Sequence, residues 1–453
     1  MDKKLIIIGG GLAGSEAAWQ AAQRGISVEL YEMRPNQPTG AHLTGNLAEL
    51  VCSNSLGSNL VDRASGLLKE ELRKFKSMLL ACAENTALPA GRALAVDREA
   101  FSEQVTEKIL NHPNIKVIRE EYLSIPNGPA IIASGPLTSK VLSEKVSEFT
   151  GKNNLFFYDA IAPIITADSI DFQIAFRASR YSSSTLDEGD YINCPFTKEE
   201  YFEFVNALKN AETIQLKEFE SDIQNGVNAG SHQYFESCLP VEIIGKRGDL
   251  ALAFGPLRPI GLSDPRTDKK PFAILQLRQD NLAGDLYNLV GFQTNLTYPE
   301  QKRIFRLIPG LKNAEFVRFG EMHRNTFIAS PSVLEPTLQT RNQPDLFFAG
   351  QITGVEGYMG NIATGMLAGI NAARLLSDKE LLILPIDTML GALIHYITQA
   401  SLSDFQPMKA NFGILPPLDN PTRNKRARAQ EYSNRALTSL DTWLTENEIF
   451  AHE

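Results

Sequence analysis

Six consecutive residues near the start of the chain have the spacing of a dinucleotide-binding turn. The pattern G-x-G-x-x-G is fitted by Gly9, Gly10, Gly11, Leu12, Ala13 and Gly14. Its first glycine makes a tight turn, its second admits a pyrophosphate close to the backbone, and its third lets a helix pack on a strand. Glu32 follows Gly14 at the distance where an acidic side chain hydrogen-bonds a ribose hydroxyl. The pattern therefore predicts a dinucleotide site.

Two of the four cysteines stand out by their surroundings. Cys52 lies among small polar residues that are typical of a helix start, where the helix dipole stabilises a thiolate. Cys238 lies two residues before Pro240, in a stretch predicted to be extended or a turn. A single cysteine is more often buried and inert. Local pattern alone leaves both alternatives open for Cys52.

A second glycine-containing stretch lies more than 300 residues downstream. An apolar strand ends at Gly350, and the chain then runs through Gly354 and Gly357 into a helix predicted over residues 363–376. In flavoproteins, a late strand of this kind returns to the first dinucleotide domain and binds the flavin. The distance between the two stretches indicates one domain interrupted by an insertion, and it favours FAD over NAD as the bound dinucleotide.

The elements around these residues alternate between strands and helices. The apolar run 5–8 predicts a buried parallel strand, residues 15–23 and 67–82 predict helices, and 115–118 and 130–134 predict further strands. The predicted fold class is α/β. It combines a Rossmann-like FAD-binding domain of the glutathione-reductase type, an α+β insertion domain that interrupts it, and a helical C-terminal tail.

The predicted domain bounds follow from where these patterns change. Residues 1–155 form the first part of the FAD-binding domain, 156–330 the insertion or substrate domain, 331–376 the second FAD-binding part, and 377–453 the helical C-terminal segment. Within the insertion, residues 250–254, 272–277 and 289–292 are predicted strands. Residues 241–341 carry fourteen Lys or Arg against ten Asp or Glu, interspersed with aromatic residues. That mixture suits a nucleic-acid face, and a solvated surface above a sheet explains it as well.

Composition narrows the class of protein. The 453-residue chain has a net charge of −9 and a hydrophobic content of 43%, which are ordinary for a globular protein, and none of its apolar runs reaches the ~18 residues of a membrane span. Four cysteines without a CxxC pair predict a reduced, cytoplasmic protein with no disulfide framework and no metal site. The acidic balance argues mildly against non-specific nucleic-acid binding, and it leaves room for a local basic face.

Ten blocks of the sequence carry a family resemblance that extends over nearly the whole chain. They are IIGGGLAGSEAA (7–18), LAELVCSNSL (47–56), GLLKEEL (66–72), GPLTS (135–139), FESCLPVE (235–242), LAFGPLRPIGL (252–262), QLRQDNLAGDLYNLVGFQT (276–294), MHRNTFI (322–328), FFAGQITGVEGY (347–358) and TRNKRARAQEYSNRAL (422–437). In these blocks the chain resembles the folate- and FAD-dependent transfer-RNA uridine-C5 methyltransferases, the TrmFO family. The longer flavoprotein GidA is similar in the flavin-binding parts only.

The resemblance implies C5-methylation of uridine 54 in the T loop of tRNA. It further implies 5,10-methylenetetrahydrofolate as carbon donor and an FAD that is reduced by NADPH or NADH, with no membrane and no stable protein partner. By the match of blocks, Cys238 adds to C6 of the target uracil, and Cys52 acts beside the flavin as general base or stabiliser. Two alternatives are an enzyme that performs the same reaction on a ribosomal-RNA uridine and an FAD oxidoreductase that acts on a small molecule.

Three further residues in these blocks have a side chain that suits the RNA or the folate, namely Arg278, His323 and Arg324. Structural ion pairing explains the same charges equally well. His42, on the loop before Cys52, has two interpretations, of which a loop histidine without a catalytic role is favoured over a proton carrier. The resemblance therefore predicts a site built from both the FAD-binding domain and the insertion.

Overall fold

The computed structural model describes residues 4–151, 155–180, 189–214, 239–403, 405–447 and 449. For residues 155–160 and 322–324 it describes the backbone alone. Within these residues, every helix is too short or too polar to cross a lipid bilayer.

The first part of the chain alternates strands and helices. Its elements in chain order are β1 (Lys4–Ile8), α1 (Leu12–Gln23), β2 (Ser27–Tyr31), β3 (Ser55–Ser58), α2 (Ala64–Lys74), α3 (Met78–Asn85), β4 (Ala87–Leu88), β5 (Ala93–Val96), α4 (Arg98–Leu110), β6 (Ile115–Ile118), β7 (Ala130–Ile132) and α5 (Lys140–Thr150). Helix α4 begins at a true N-cap, because the Asp97 carboxylate accepts a hydrogen bond from the Ala100 N–H at 2.9 Å.

The middle part is mainly strands, with short helices between them. Its elements are β8 (Leu155–Ala160), β9 (Ile164–Thr166), β10 (Phe176–Arg177), β11 (Tyr191–Phe196), α6 (Lys198–Lys209), α7 (Val241–Lys246), α8 (Ala251–Phe254), β12 (Ala273–Gln279), β13 (Leu286–Leu289), α9 (Tyr298–Phe305), β14 (Phe316–Arg318) and β15 (Met322–Phe327). Helix α6 begins with a complete capping box, in which the Thr197 and Glu200 side chains each accept a hydrogen bond from the backbone N–H of the other residue.

The last part returns to the first and ends in helices. Its elements are α10 (Ser330–Val333), β16 (Leu346–Phe348), β17 (Val355–Glu356), α11 (Tyr358–Leu376), α12 (Met389–Gln399), β18 (Met408–Lys409) and α13 (Lys425–Glu446). Strand β16 pairs in parallel with β7, so a strand from late in the chain completes the first sheet.

Two sheets organise these elements. The first has the order β16-β7-β1-β2-β6, and all of its strands are parallel. The second has the order β10-β11-β12-β13-β9-β14, is antiparallel, and lies wholly within the middle part. The chain leaves and re-enters the first part through β8 and β15, which pair with each other as an antiparallel ribbon. The predicted domain bounds follow the same division and stay a prediction.

Helices α1 and α11 are in close contact, and small residues make this possible. A Cβ atom added to Gly365 would lie 2.2 Å from the Ala13 carbonyl oxygen, and one added to Gly369 would lie 2.4 Å from that of Ala17. Both distances are well below van der Waals contact, so a larger residue at either position would force the helices apart. The first half of α1 is thereby packed against the middle of α11.

Three predicted elements are wrong in detail. The strand predicted over residues 289–292 is wrong because β13 ends at Leu289 and the chain turns at Gly291, whose φ is +79°. The helix predicted over residues 67–82 is two helices, α2 and α3, because the chain turns at Lys76, whose φ is +57°. Residues 250–254 form the one-turn helix α8 instead of a strand. Cys82 is fully buried, as its place in the apolar pattern predicts, and burial raises the pKa of its thiol to about 11.

Candidate cofactor and catalytic site

The first turn of α1 faces a cavity that lies at the carboxyl ends of the parallel strands. Its lining draws on β1, the loop after β2, the loop after β7, the chain after β16, and the start of α11. Of the predicted cofactor residues, it includes Gly9, Gly11, Leu12, Ala13, Glu32 and Gly350. Gly10 and Gly14 belong to the same glycine turn without lining the cavity, and Gly357 directly precedes Tyr358, which lines it.

The glycine turn is shaped as a dinucleotide requires. Gly9 has a φ of +103°, and a Cβ on Gly14 would lie 1.8 Å from the Gly9 carbonyl oxygen. By contrast, a Cβ on Gly11 would meet nothing within 4 Å, so this position opens toward the cavity. Gly11 caps α1 without a side-chain hydrogen bond. The helix N-terminus therefore presents its dipole and backbone N–H groups to the cavity, as a pyrophosphate needs.

Glu32 occupies the position predicted for a ribose contact, and it also holds the turn. Its Oε2 accepts a hydrogen bond from the Gly10 N–H, and its Oε1 accepts two from Arg34, all at 2.9 Å. Burial opposes ionisation of this carboxyl, but the hydrogen bonds and charge of Arg34 hold its pKa below the ordinary value. A carboxylate with about four lone pairs can accept further hydrogen bonds, so the ribose role stays a prediction.

The other end of the cavity is formed by the start of α11. Gly357 is the N-cap of this helix, with a φ of +86° and no side-chain hydrogen bond, and Tyr358 and Asn361 in its first turn line the cavity. The Asn361 Oδ1 atom is buried, and within the described part of the chain it has no hydrogen-bond partner. A buried acceptor of this kind requires a donor. Together with the glycine turn, it fits a dinucleotide with a polar ring system at this end.

Cys52 lies on a loop that packs against this end of the cavity. The Tyr358 hydroxyl accepts hydrogen bonds from the Cys52 N–H at 2.9 Å and from the Ser53 N–H at 3.0 Å. Burial raises the pKa of the Tyr358 hydroxyl above its ordinary range, so it remains protonated. The prediction that a helix begins at Cys52 is wrong, because residues 51–54 are irregular and strand β3 follows. Tertiary contacts, and not a helix dipole, set the surroundings of this thiol.

Arg278 comes from strand β12 of the middle part and holds the same loop. Its Nε donates to the Asn54 Oδ1 at 2.7 Å, and its Nη2 donates to the Ser53 Oγ at 3.1 Å. Asn54 in turn donates to the carbonyl oxygens of Val96 at 3.1 Å and Gln279 at 2.9 Å. Arg278 is only 8% exposed, so this guanidinium is committed to protein groups. Its predicted contact with substrate stays a prediction.

Arg98, which the sequence interpretation did not single out, completes the support. It donates to the Leu50 carbonyl oxygen at 2.9 Å and forms a buried ion pair with Asp280 at 3.1 Å. Arg98 and Arg278 both lie near enough to Cys52 to interact with it electrostatically. The signal for Arg98 is weak in sequence, because it only follows the N-cap Asp97. The signals for Tyr358 and Asn361 are equally weak. Tyr358 is the last residue of the block 347–358, and Asn361 lies just after that block.

His42 lines the cavity on the side of the loop that follows β2. Its Nδ1 lies 2.6 Å from the Thr39 Oγ1. Burial, with the nearby charge of Arg34, lowers the pKa of His42 to about 4, so the ring is neutral at pH 7. A neutral ring has no histidinium proton to donate at pH 7, and the role of His42 stays a prediction.

Three predicted residues cannot be placed in this geometry. Cys238 lies outside the described residues, which resume at Leu239. His323 and Arg324 belong to strand β15, whose backbone pairs them with Asp159 and Tyr158 of β8, and their side chains are not among the described groups. Their roles stay predictions.

Comparison with known proteins gives the family. The model of the family "Glucose inhibited division protein A" matches residues 4–380. A protein of Halalkalibacterium halodurans is 53% identical over 438 residues, which cover 97% of this chain and 98% of that protein. A protein of Bacillus subtilis is 53% identical over 436 residues, which cover 96% and 97%. Both are named methylenetetrahydrofolate--tRNA-(uracil-5-)-methyltransferase TrmFO.

The chain belongs to the TrmFO family, within the wider GidA family. The resemblance seen in the sequence blocks is thus confirmed. Among solved structures, the form II crystal structure of Aquifex aeolicus GidA matches with a TM-score of 0.65 and 17% identity, covering 97% of this chain and 74% of that one. This likeness confirms the α/β, Rossmann-type fold. The GidA and TrmFO families imply FAD, which the turn at Gly9–Gly14, the acceptor on Asn361 and the two facing helix ends fit.

Proposed function

We propose that this TrmFO-family chain methylates C5 of a uridine in transfer RNA, with methylenetetrahydrofolate as the carbon donor and FAD as the cofactor. The curated relatives carry that activity in their name at 53% identity over nearly the whole chain. The observation that carries the proposal is the packing of the Cys52 loop, through the Tyr358 hydroxyl, against the cavity that the glycine turn lines. Uridine 54 of the T loop as the target, and NADPH or NADH as the reductant, are finer parts of the same proposal.

The chain's own residues divide the work between binding and proton or carbon chemistry. Gly9–Gly14 and the first turn of α1 hold the pyrophosphate, Glu32 the ribose, and the chain from Gly350 to Gly357 with the first turn of α11 the flavin side. FAD, once bound and reduced, supplies hydride and a carrier for the one-carbon unit.

Two cysteines act on the uracil in this proposal. The Cys238 thiolate adds to C6, which makes C5 nucleophilic toward the donated carbon. When the C5 proton is later removed, the thiolate leaves C6 and the C5–C6 double bond of the uracil is restored. Cys52 lies beside the cavity in cationic surroundings set by Arg98 and Arg278, where it takes the C5 proton or stabilises the charge on the flavin side. Arg278, His323 and Arg324 are proposed to contact or to support the RNA and folate. Reduced cysteines and these co-substrates favour a cytoplasmic enzyme.

The test is a reconstituted reaction with defined RNA. The purified protein, FAD, methylenetetrahydrofolate and NADPH are incubated with an unmodified tRNA transcript, and the digested RNA is analysed by mass spectrometry. We expect 5-methyluridine in the T loop, and none in a matched transcript with cytidine at position 54. Product from ribosomal RNA alone would support the alternative substrate. NADPH oxidation without any RNA product would support an oxidoreductase and contradict the proposal.

The cysteine roles are tested in the same assay. Cys238→Ala is expected to abolish methylation while the protein keeps its flavin absorbance, because the C6 nucleophile is lost and the FAD site is not. Cys194→Ala is the matched control, since Cys194 is fully buried in β11 of the second sheet. Normal methylation by Cys238→Ala would show that another group attacks C6.

A further inference from the structure

A line of aromatic rings runs from the core of the second sheet's domain to its surface. The Phe292 and Phe305 rings are 5.4 Å apart, Phe305 and Phe316 are 6.4 Å apart, and Phe316 and Phe319 stack at 5.4 Å with an interplanar angle of 16°. Tyr298 stacks on Phe319 at 4.8 Å and 19°. We call the outer three rings, Phe316, Phe319 and Tyr298, the aromatic ladder. Its three planes are nearly parallel, as in a base stack.

The outer end of the ladder is held rigidly. The buried Gln301 side chain donates to the Gly320 carbonyl oxygen and accepts from the Gly320 N–H, both at 2.8 Å. A Cβ at Gly320 would lie 2.7 Å from the Ile161 carbonyl oxygen, so the chain after Phe319 packs tightly against the segment that precedes β9. Tyr298, Gln301 and Phe305 share one face of α9 at helical spacing. The platform is therefore pre-organised.

The ladder ends in solvent, and a cation lies on it. Tyr298 is 42% exposed although its ring stacks on Phe319, so part of this aromatic side chain remains available for contact. The ammonium of the exposed Lys302 lies 5.4 Å from the Phe319 ring centroid. Strand β14, which carries Phe316, is the outermost strand of its sheet. A flat ring, a nearby ammonium and an open edge together suit a nucleobase with its phosphate.

One residue links the ladder to the cofactor cavity. Arg318 precedes Phe319 in the chain, and its Nη2 donates to the Ala41 carbonyl oxygen at 3.2 Å. Ala41 is next to His42, which lines the cavity. The Arg318 guanidinium also lies near enough to Tyr358 and Glu321 to interact with both. The ladder is thus connected, through Arg318, to the loop that lines one side of the cavity.

From this arrangement we propose that Tyr298 is a stacking platform for an unpaired base of the RNA substrate, and that Lys302 contacts the phosphate beside that base. The inference rests on the proposed function, because it assigns a specific contact with the RNA substrate of that function. Glu321 does not oppose it strongly, since its carboxylate accepts a hydrogen bond from the Tyr298 hydroxyl and interacts with the Arg318 guanidinium. A stacked base uses the ring face, which this hydrogen bond leaves available.

The experiment compares Tyr298→Ala with Tyr298→Phe, which keeps the ring and removes the hydroxyl. For Tyr298→Ala we expect the Kd for an unmodified tRNA transcript and the KM for that transcript each to rise about tenfold, because stacking of one base is lost. The kcat is expected to change much less than KM. Tyr298→Phe is expected to stay within about twofold of the wild type in Kd. Phe172→Ala, at an aromatic residue 51% exposed elsewhere in the same part of the chain, is the matched control.

A direct readout of stacking separates this inference from a purely structural role. In Tyr298→Trp, the added indole fluorescence is expected to be quenched by the tRNA and not by a blunt RNA duplex, which offers no unpaired base. Unchanged Kd and KM in Tyr298→Ala, or an unquenched indole, would overturn the inference. If Tyr298→Ala changed the oligomeric state of the protein and bound RNA normally, the ring would belong to a protein interface, and the inference would be overturned. The Kd is measured without turnover. A failure of the stacking inference is therefore distinguishable from a failure of the proposed methylation activity.

Discussion

Arg278 illustrates how the burial of one side chain favours one of two roles. An arginine in a basic, aromatic region can bind RNA, and it can equally well hold a loop of the protein in place. The sequence around Arg278 does not distinguish these two roles. In the structure its guanidinium donates to Asn54 and Ser53, beside Cys52, and only 8% of the residue is exposed. We therefore expect Arg278 to act as a positioning residue for the Cys52 loop.

Arg278→Met should lower kcat for methylation about tenfold or more and leave the KM for tRNA within about twofold, because truncation leaves buried polar groups of the loop without their donor. Steady-state kinetics with varied tRNA measures both constants. Arg258→Met is the matched control, because Arg258 is exposed in the same part of the chain. A rise in KM with unchanged kcat would instead assign Arg278 to RNA binding.

At the scale of elements, one carboxylate joins two helices. Glu71, buried in α2, accepts hydrogen bonds from the Met389 N–H at 2.6 Å and the Leu390 N–H at 2.9 Å, in the first turn of α12. It supplies to α12 the acceptors that a helix N-terminus lacks. Burial nevertheless raises the pKa of Glu71 to about 7, against an ordinary value of 4.5. The element contact is therefore sensitive to pH.

Because the folded-state pKa of Glu71 is raised, its protonated form stabilises the fold, and this contribution is complete below pH 4.5 and lost as the pH rises through 7. In Glu71→Gln this pH dependence is absent. Between pH 5 and pH 8, the unfolding free energy of the wild type should fall relative to that of the variant by up to about 3 kcal/mol. Urea unfolding at both pH values measures it, with Glu107→Gln, exposed on α4, as control. Parallel pH profiles of wild type and Glu71→Gln would contradict the assignment.

The elements also show where prediction from sequence succeeds. The turn at Gly9–Gly14 and the core position of Cys82 follow from local spacing, and local spacing decides their structure. The loop at Cys52 does not, because its conformation is set by Tyr358, Val96 and Gln279, which are 42 to 306 residues away. The single helix predicted over 67–82 fails for a related reason, since a left-handed Lys76 breaks a continuous apolar pattern.

At the scale of the whole molecule, one buried network joins the parallel-sheet part to the second sheet. Arg98, at the start of α4, pairs with Asp280, just after β12, and the side chains are 13% and 6% exposed. The adjacent Asp97 uses one carboxylate oxygen to cap α4 and the other to accept a hydrogen bond from the Leu282 N–H at 2.7 Å. The two parts are therefore held in one orientation around the Cys52 loop.

Asp280→Ala removes one partner of this buried pair and should lower the unfolding free energy by about 3–5 kcal/mol, because the Arg98 charge is left buried without compensation. Asp249→Ala breaks the pair with Lys209, in which Asp249 is 71% exposed, and should change stability by less than about 1 kcal/mol. Chemical denaturation of both variants makes the comparison. Equal effects in the two would mean that the Arg98–Asp280 pair does not couple the parts of the molecule.

The ribbon of β8 and β15 has a consequence for how such a protein can be altered. The outgoing and returning strands pair along their full length, with Ala160 opposite Met322, so the two ends of the intervening segment are only about 5 Å apart. A tight turn of two residues spans such a gap. The whole segment between them therefore joins the parallel-sheet part at a single junction, which leaves the order of the parallel strands unchanged. In evolutionary terms it is an inserted unit that can diverge by itself only where it keeps Arg278 and Asp280, because these two residues hold the Cys52 loop and pair with Arg98.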